Sequence, residues 1–264
     1  FYTYITTMAY AMEEAARRKI PFVVLDRSNP LNGLAVQGPM LDPGRYSFVG
    51  YFSMPIRHGM TVGELAQMFN KENGIGADLT VIPMQGWRRE LWFNQTGLEW
   101  LRPSPNLRSL RGATVYPAVE LLLAGGVSVG RGTPTPFELF GAPWIRSRDL
   151  LRYLRSRNIP GVRFEPVQFR PSAEVHVGQV CYGLRLEVTD RNRLDVGWLG
   201  VELLAALHKL YPQEFRLDKT LHLLGSQHTL ERIQRHDDPR EIAAGWEAEL
   251  AAFQRLRAPY LLYD

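Results

Sequence analysis

The sequence feature that most constrains the fold is a helix pattern followed directly by a strand pattern. Apolar residues recur every three to four positions over about 3–19, which predicts an amphipathic helix that Ile20-Pro21 ends. The next run, PFVVLD at 21–26, is short and continuously apolar. Such a run is typical of a strand buried on both faces of a parallel sheet. Because no strand precedes the helix, we expect the chain to begin inside a larger α/β domain.

The following segments extend this pattern. A capping box, Thr61-x-x-Glu64, predicts the start of a helix that Asn73-Gly74 ends, and LTVIPM at 79–84 predicts a strand. ATVYP at 113–117 is interpreted as another buried strand, with Pro117 beginning a helix that Gly125-Gly126 closes. This order predicts a mainly parallel, doubly wound sheet, with residues 1–146 as the first domain.

The composition changes near Trp144. Ser147 is expected to cap a helix, and the segments 162–169 and 182–190 alternate polar and apolar residues, as half-exposed antiparallel strands do. Helices are predicted at about 197–210 and 239–257. Residues 147–264 are therefore expected to form a second, smaller α+β domain.

Composition and charge exclude several classes of protein. With 264 residues, of which 45% are apolar, the chain is neither disordered nor collagen-like. No apolar run approaches the roughly 20 residues that cross a bilayer. The net charge of +4 is spread over both halves, which argues against nucleic-acid binding, although a few arginines in one cleft suffice for an anionic small substrate. Cys181, the single cysteine, cannot form an internal disulfide.

Polar residues directly after strands are the first candidates for a site, because ligands bind beyond the carboxyl ends of parallel strands. Asp26 is interpreted either as a catalytic or sugar-binding carboxylate or as a turn residue. Asn29 either contacts a ligand or shapes the turn before Pro30. His58 lies beside Arg57, whose charge would lower the imidazole pKa, and it is either catalytic or a structural histidine.

Arginine and tryptophan supply candidate ligand contacts. Arg57 and Arg131 suit bidentate binding of a substrate carboxylate, and either could instead pair with Glu138 or Asp26. Four indoles, including Trp87, lie within a short stretch of loops, and aromatic rings pack against the C–H faces of sugars. Some of these indoles must belong to the core.

Other motif classes find no support in the sequence. GRGT at 130–133 is not a phosphate-binding loop, and no GxGxxG follows the first strand, so nucleotide cofactors are not indicated. The histidines lack convincing zinc-ligand spacing, and no GxSxG motif occurs. Cys181 is more consistent with a buried strand residue than with a nucleophile.

Several of these segments together resemble one known family. The chain contains PFVVLDRSNPLNG, RHGMTVGELA, PSPN, VYPAVELL and SVGRGTPTPFELFGAPW. These segments closely resemble the exo-β-N-acetylmuramidase (NamZ-type) family, formerly a family of unknown function, over essentially the whole chain.

The resemblance implies a Rossmann-like domain followed by an auxiliary domain. It implies a glycoside hydrolase of cell-wall turnover that needs no cofactor or metal and releases terminal non-reducing N-acetylmuramic acid from peptidoglycan-derived muropeptides or disaccharides. Such an enzyme is expected outside the cytoplasm, secreted or periplasmic. The candidate catalytic residues are Asp26, His58 and Glu138, with Glu64 as a further carboxylate to test. The candidate substrate-binding residues are Asn29, Arg57, Trp87, Asn106, Tyr116, Arg131 and Thr133.

The chain departs from the family pattern in places. Relatives carry an upstream segment with a Pro-Glu-His-Gly motif before the FYTYI segment, and the catalytic acid is expected there. Many relatives read LLEGTNVS where this chain has LLLAGGVS, which removes a carboxylate from near the expected cleft. A non-catalytic muropeptide-binding protein on the same scaffold therefore stays an alternative, and an unrelated α/β hydrolase acting on another anionic molecule is a third.

Overall fold

The computed structural model describes residues 2–264, which group into two compact units. One unit contains the residues up to Val36, Met40–Glu99 and Glu247–Asp264, and the other contains Gln37–Pro39 and Trp100–Trp246. This grouping differs from the predicted boundary at 146/147, because a strand that precedes this boundary pairs with a strand that follows it.

The first unit is built on a parallel pair of strands. Strand β1 (Phe22–Leu25) pairs with β4 (Leu79–Ile82), with Phe22 opposite Leu79. Helices α1 (Tyr4–Arg18), α2 (Val62–Glu72) and α10 (Glu247–Arg257) belong to the same unit. Two short strands, β2 (Gln37–Met40) and β3 (Pro55–Arg57), lie between β1 and α2 along the chain.

One face of α2 forms the core of this unit. Two clusters of buried side chains, contributed mainly by α1, α2 and their neighbours, are Ala9, Val36, Met60, Leu65, Met68, Phe69 and Phe253, and Met12, Val24, Ala66 and Ala77. The predicted capping box at the start of α2 is confirmed: Thr61 Oγ1 accepts from the Glu64 amide, and Glu64 Oε2 accepts from the Thr61 amide.

The second unit is built on a three-stranded antiparallel sheet. Strands β5 (Leu139–Ala142), β6 (Val162–Phe169) and β7 (Cys181–Val188) lie in the order β5-β7-β6. The antiparallel pair predicted at 162–169 and 182–190 is confirmed.

The second unit also contains helices. The helices of the second unit are α3 (Leu110–Val119), α4 (Leu121–Ala124), α5 (Ser147–Ser156), α6 (Val196–Leu210), α7 (Leu221–Leu224), α8 (Gln227–Gln234) and α9 (Pro239–Ala244). Short 3-10 helices of the chain lie at Phe93–Gln95, Leu217–Thr220 and Ala258–Tyr260. Helix α5 packs against β6 and β7. Helix α6 is buried along almost its whole length and packs against α3, α5 and α9.

Several sequence predictions are corrected. ATVYP at 113–117 is not a strand but lies inside α3, with Pro117 within the helix rather than at its start. Strand β1 is not buried on both faces, since Val23 is 57% and Leu25 70% exposed in the described chain. The parallel sheet predicted for residues 1–146 is present as the β1–β4 pair, whereas β5, which lies in the same range, pairs antiparallel with β7.

Two helix boundaries also differ from the prediction. The helix predicted at 239–257 is two helices, because α9 ends before Gly245. Arg146, not Ser147, is the N-cap of α5. Among residues 2–264, no helix combines the length and the apolar character that a bilayer crossing requires.

Candidate active site

Asp26 follows β1 and accepts four hydrogen bonds. Its Oδ1 accepts from the amides of Gly63 (2.7 Å) and Arg27 (2.8 Å), and its Oδ2 accepts from the hydroxyls of Thr61 (2.7 Å) and Tyr263 (2.5 Å). Burial, followed by the Asp26 carboxylate, raises the pKa of Tyr263. The carboxylate thus holds the start of α2, where amide groups and the helix dipole favour a negative charge.

His58 lies in the turn that leads from β3 to α2. Its Nδ1 accepts from the Met60 amide at 3.2 Å, so the ring proton resides on Nε2. Burial, together with the positive charges of Arg257 and Arg57, lowers the His58 pKa to about 3. The direction is the one predicted from Arg57, but burial is the larger cause. At neutral pH His58 is an uncharged imidazole with one N–H to donate.

Arg57 and Asn29 both stabilise the loop after β1. Buried Arg57 donates to the carbonyl of Leu31 and to Asn32 Oδ1, and its guanidinium lies 5.3 Å from the centroid of the Trp92 ring. Asn29 donates to the Met60 carbonyl (3.0 Å) and accepts from the Leu31 amide (3.0 Å). Asn29 therefore shapes the turn, as one of its two sequence interpretations expected.

A buried ion pair lies beside this loop. Arg89 Nη1 and Nη2 donate to Glu64 at 2.6 and 3.2 Å, and both side chains are almost completely buried. Glu64 Oε1 also accepts from the Leu262 amide at 2.9 Å. Trp87 is buried too, and its ring contacts Tyr263 edge-on with centroids 5.0 Å apart. Glu64 and Trp87 are thus embedded in the packing of the first unit.

Arg257 is a buried cation that sequence reasoning missed. It donates to the carbonyls of His58 and Gly59, both at 2.8 Å. Burial, followed by the charge of Arg89, lowers the Arg257 pKa to about 10. No local motif marks this residue, because its carbonyl partners lie about 200 positions away in the sequence.

Arg131 is the centre of a cluster in the second unit. It donates through Nη2 to Glu120 and through Nη1 to Glu174 Oε1 at 3.0 Å. Its guanidinium lies 5.4 Å from the centroid of Phe137, whose ring contacts Tyr116 edge-on at 4.9 Å. The structure therefore brings together the predicted residues Arg131 and Tyr116. The carboxylate partners are Glu120 and Glu174 rather than the Glu138 or Asp26 considered from the sequence.

The glycines of GRGT make this arrangement possible. Gly130 and Gly132 have φ of 77° and 79°, a left-handed conformation that glycine adopts without strain. A Cβ on Gly132 would also lie 2.5 Å from the Ala173 amide nitrogen. The motif is therefore needed to present Arg131 from a tight loop that packs against the 172–174 segment.

Glu120 lies between α3 and α4 and is the most unusual carboxyl group of this cluster. It is 6% exposed, and its Oε2 is buried without a hydrogen-bond partner. Burial raises the Glu120 pKa to about 7; Arg131 opposes this shift and Glu174 adds to it. Sequence reasoning missed Glu120, because it placed this residue inside a helix predicted from Pro117 and no motif linked it to Arg131.

A cavity of about 300 Å³ lies next to the GRGT loop. Its lining includes Thr133, Thr135, Phe169, Arg170 and Arg185. Ligand pockets begin at about this size, so the cavity can hold a group on the scale of one sugar ring. Thr133 is a predicted site residue, and its hydroxyl donates to the Gly130 carbonyl at 2.6 Å.

Glu138 and Asn106 lie near the other end of α3. Glu138 Oε1 accepts from the hydroxyl of Ser109 at 2.7 Å, and Ser109 in turn caps α3 by accepting from the Gly112 amide. Asn106 is half-buried in the turn before this helix. Since α3 is ten residues long, about 15 Å separates this end from Glu120. Glu138 and Arg131 therefore do not form a pair.

The predicted residues thus fall into three groups. Asp26 and His58 lie around the start of α2, Tyr116 and Arg131 lie around Phe137, and Glu138 and Asn106 lie at the start of α3. Within the described residues, no three His, Cys, Asp or Glu side chains cluster as a metal site would require.

Comparisons with known proteins identify relatives along the whole chain. Two family models match: "Exo-beta-N-acetylmuramidase NamZ, N-terminal" over residues 1–111, and the C-terminal model of the same family over residues 114–263. Peptidoglycan beta-N-acetylmuramidase NamZ of Bacillus subtilis (strain 168) is 43% identical over 266 residues. That alignment covers 100% of this chain and 64% of the relative, so the chain spans less than two thirds of the relative's length.

Solved structures show the same fold. A DUF1343 family protein of Bacteroides fragilis NCTC 9343 superimposes with a TM-score of 0.90 at 32% identity, covering 99% of this chain and 71% of its own. A second DUF1343 family protein of this organism has a TM-score of 0.80 at 30% identity, covering 100% and 72%. The fold is therefore a mixed α/β fold with a small parallel sheet. On the two family models and these relatives, the chain belongs to the exo-β-N-acetylmuramidase NamZ family.

Proposed function

We propose that this chain is part of an exo-β-N-acetylmuramidase that releases N-acetylmuramic acid from the non-reducing ends of peptidoglycan fragments. Its similarity to the Bacillus subtilis enzyme, 43% identity along the whole chain, supports this activity. Muropeptides or disaccharides derived from peptidoglycan are then the substrates.

The observation that carries the proposal is the position of Arg131 in a loop that borders a cavity. N-acetylmuramic acid differs from N-acetylglucosamine by a lactyl ether that ends in a carboxylate. Arg131 lies in a loop whose next residues, Gly132 and Thr133, line the 300 Å³ cavity. An N–H of this guanidinium can donate a charge-assisted hydrogen bond to a carboxylate, which gives both affinity and orientation. Arg131 is therefore the residue that selects the muramic acid sugar.

Hydrolysis additionally needs a group that protonates the leaving oxygen and a group that acts at the anomeric carbon. Asp26, His58 and Glu138 stay predictions for these roles. At neutral pH His58 is neutral and retains an N–H, so it can donate a hydrogen bond without carrying charge. Asp26 already accepts four hydrogen bonds, so a catalytic role for this carboxylate requires that some of these donors be exchanged for substrate.

A chromogenic muramide and the matching glucosaminide test the proposal. The full-length protein that contains this chain is expected to release the chromophore from the muramide only. Arg131→Ala is expected to lower kcat/KM for the muramide by about 100-fold, the effect of losing a charged hydrogen-bond donor at a substrate carboxylate. Arg163→Ala is the matched control, because Arg163 pairs with Glu187 on the exposed side of the β6–β7 pair.

The outcomes separate the two functions. If the muramide binds but no chromophore is released, the muropeptide-binding alternative is favoured. Equal losses for Arg131→Ala and Arg163→Ala would contradict selection by Arg131.

We also infer that the β1–β4 pair is part of a larger, Rossmann-like parallel sheet. Val23, Leu25 and Ile82 are large apolar residues that are 57%, 70% and 47% exposed on this pair. Parallel sheets are normally covered on both faces, so an exposed apolar face of this kind favours further cover in the intact protein. Slow maleimide labelling of Val23→Cys, compared with fast labelling of Leu98→Cys, would support this; equal rates would contradict it.

An enzyme acting on peptidoglycan is expected to work outside the cytoplasm. We propose a secreted or periplasmic location, because its substrate is a cell-wall polymer. Fractionation of cells that produce the natural protein tests this: recovery of the protein only with cytoplasmic markers would exclude it.

A further inference from the structure

The loop between β6 and β7 folds onto the loop that carries Arg131. Ser172 Oγ donates to the Gly132 carbonyl at 2.8 Å, and the ring Nε2 of His176 lies 2.9 Å from the Gly126 carbonyl. Between these two anchors, Glu174 accepts a hydrogen bond from Arg131 at 3.0 Å. The segment 170–180 therefore places the carboxylate of Glu174 on Arg131, at the more solvent-exposed of its two ion pairs.

The backbone of this loop is held in an uncommon conformation. Glu174 and His176 have φ of 63° and 61°, the left-handed region that residues with a Cβ rarely adopt. Contacts with the GRGT loop must supply the free energy for this conformation.

The two carboxylates on Arg131 differ in burial. Glu120 is buried and accepts from Nη2, whereas the Glu174 side chain is 40% exposed and accepts from Nη1. An exposed ion pair contributes little to stability, because water solvates both partners and side-chain ordering opposes the pairing. The inner carboxylate is thus a fixed anchor, and the outer one is weakly held.

We propose that Glu174 is a displaceable occupant of a carboxylate-binding position on Arg131, and that the carboxylate of an incoming ligand takes this position while Glu120 holds the guanidinium. Glu174 is then a specificity-determining residue, because only a ligand with a carboxylate can replace it. The inference rests on the proposed function when it names that ligand as the lactyl carboxylate of N-acetylmuramic acid.

The exchange conserves charge at the site. One carboxylate leaves Nη1 of Arg131 and another arrives, so the buried Glu120 keeps a negative neighbour and a positive partner throughout. Gly132 and Thr133, the two residues that follow Arg131 in the chain, line the 300 Å³ cavity. An uncharged sugar gains nothing from the exchange, because it would leave the guanidinium without its outer carboxylate.

Calorimetric titration of the purified protein tests the exchange with three probes: N-acetylmuramic acid, N-acetylglucosamine and lactate. Glu174→Gln removes the competing charge and is expected to tighten N-acetylmuramic acid and lactate by about two- to fivefold, the strength of an exposed ion pair. N-acetylglucosamine binding is expected to stay unchanged. Glu174→Gly should act in the same direction, and glycine also suits the left-handed backbone, so a folding defect cannot mask the result.

The matched control is Glu187→Gln. Glu187 is similarly exposed (49%) and forms an ion pair with Arg163, so the variant makes the same charge change elsewhere in the second unit. It should leave the affinity for all three probes unchanged.

Each outcome decides the proposal. Wild-type affinity, or weaker binding, of lactate and N-acetylmuramic acid in both Glu174 variants would overturn it, as would an equal gain for N-acetylglucosamine. Failure of lactate to bind any variant would overturn it as well. If lactate binds more tightly to the Glu174 variants but N-acetylmuramic acid does not bind at all, the exchange on Arg131 is supported and the proposed function is not.

Discussion

Two buried glutamate–arginine pairs in this protein are completed in different ways. Glu64, in the first unit, has donors on both carboxylate oxygens: Arg89 and the Leu262 amide on Oε1, Arg89 and the Thr61 amide on Oε2. Glu120, in the second unit, has Arg131 on Oε1 and no partner on the buried Oε2. We call the Glu64–Arg89 pair closed, because both carboxylate oxygens have donors. We call the Glu120–Arg131 pair open, because one carboxylate oxygen can still accept a hydrogen bond.

The difference does not follow from the unit in which the glutamate lies. Glu202 also belongs to the second unit and is completely buried, yet both of its oxygens accept from Arg157 and one accepts from the Trp198 indole. Buried polar groups are normally satisfied, and those that are not cluster at functional sites. The comparison therefore separates pairs whose carboxylate oxygens all have donors, around Glu64 and Glu202, from a pair with an unsatisfied carboxylate oxygen, around Arg131.

Breaking the closed pair should have the largest effect. Glu64→Ala leaves Arg89 buried without its carboxylate and removes half of the capping box of α2. We expect it to lower the free energy of unfolding by about 3–5 kcal/mol, the usual cost of removing one partner of a buried ion pair. Denaturant unfolding measures this, with Glu14→Ala as the control, because Glu14 pairs with Arg17 and Arg18 on the exposed surface of α1. Similar losses for both variants would remove the distinction between closed and exposed pairs.

The packing around the closed pair should be nearly as sensitive. Gly59 has φ of 61°, and a Cβ there would lie 2.8 Å from the Ala35 carbonyl and 2.9 Å from the Gly33 carbonyl. Gly59→Ala is expected to cost about 2–4 kcal/mol, since it adds overpacking to a left-handed backbone. Gly74 has the same φ with nothing within 4 Å of its Cβ position, so Gly74→Ala should cost only about 1 kcal/mol. Equal decreases in melting temperature for the two variants would show that the backbone around Gly59 moves to accommodate the added methyl group.

His58 should make the first unit sensitive to acid. Its pKa is about 6.5 in an unfolded chain and about 3 in the folded protein, so below pH 6.5 the unfolded state binds a proton that the folded state does not. Stability therefore falls as the pH decreases from about 6.5, by up to about 1.4 kcal/mol per pH unit, or about 2 kcal/mol at pH 5. Asparagine can keep the acceptor for the Met60 amide without titrating.

The His58→Asn variant should therefore lose this part of the pH dependence in unfolding curves measured between pH 7 and pH 5. If the free energy of unfolding of the variant depends on pH as strongly as that of wild type, groups other than His58 cause the acid sensitivity.

Local patterns were enough to predict much of the fold. The capping box at Thr61 and Glu64, the strands at 22–25 and 79–82, and the antiparallel pair around residues 162–188 each depend on near neighbours in the sequence. ATVYP failed because α3 is buried on nearly all sides. A continuous apolar run of β-branched and aromatic residues predicts a buried strand as readily as a buried helix.

The site was less predictable because its contacts join distant segments. Arg131 was predicted from its loop to bind a carboxylate, and this stays a prediction; its partner Glu174 is 43 residues away and has no motif. The family pattern suggested that a carboxylate is lost at 123, where this chain has leucine. In the structure, the buried carboxylate of this cluster is Glu120, which lies within the segment VYPAVELL. The role of Glu120 cannot be recognised without its partner, Arg131, in view.

The open pair around Glu120 should show a pH dependence opposite to that of His58. Glu120 titrates near 4.5 when unfolded and near 7 when folded, so between these values the folded state binds more protons, and stability is lost as the pH rises. Glutamine resembles the protonated acid at all pH values. We expect Glu120→Gln to gain about 1–2 kcal/mol relative to wild type when unfolding is measured at pH 8 instead of pH 6. Glu202→Gln, in a pair with partners on both oxygens, should show no such gain. If Glu120→Gln instead loses stability at pH 8, ionised Glu120 must be satisfied in the folded protein, and the contrast with Glu64 would disappear.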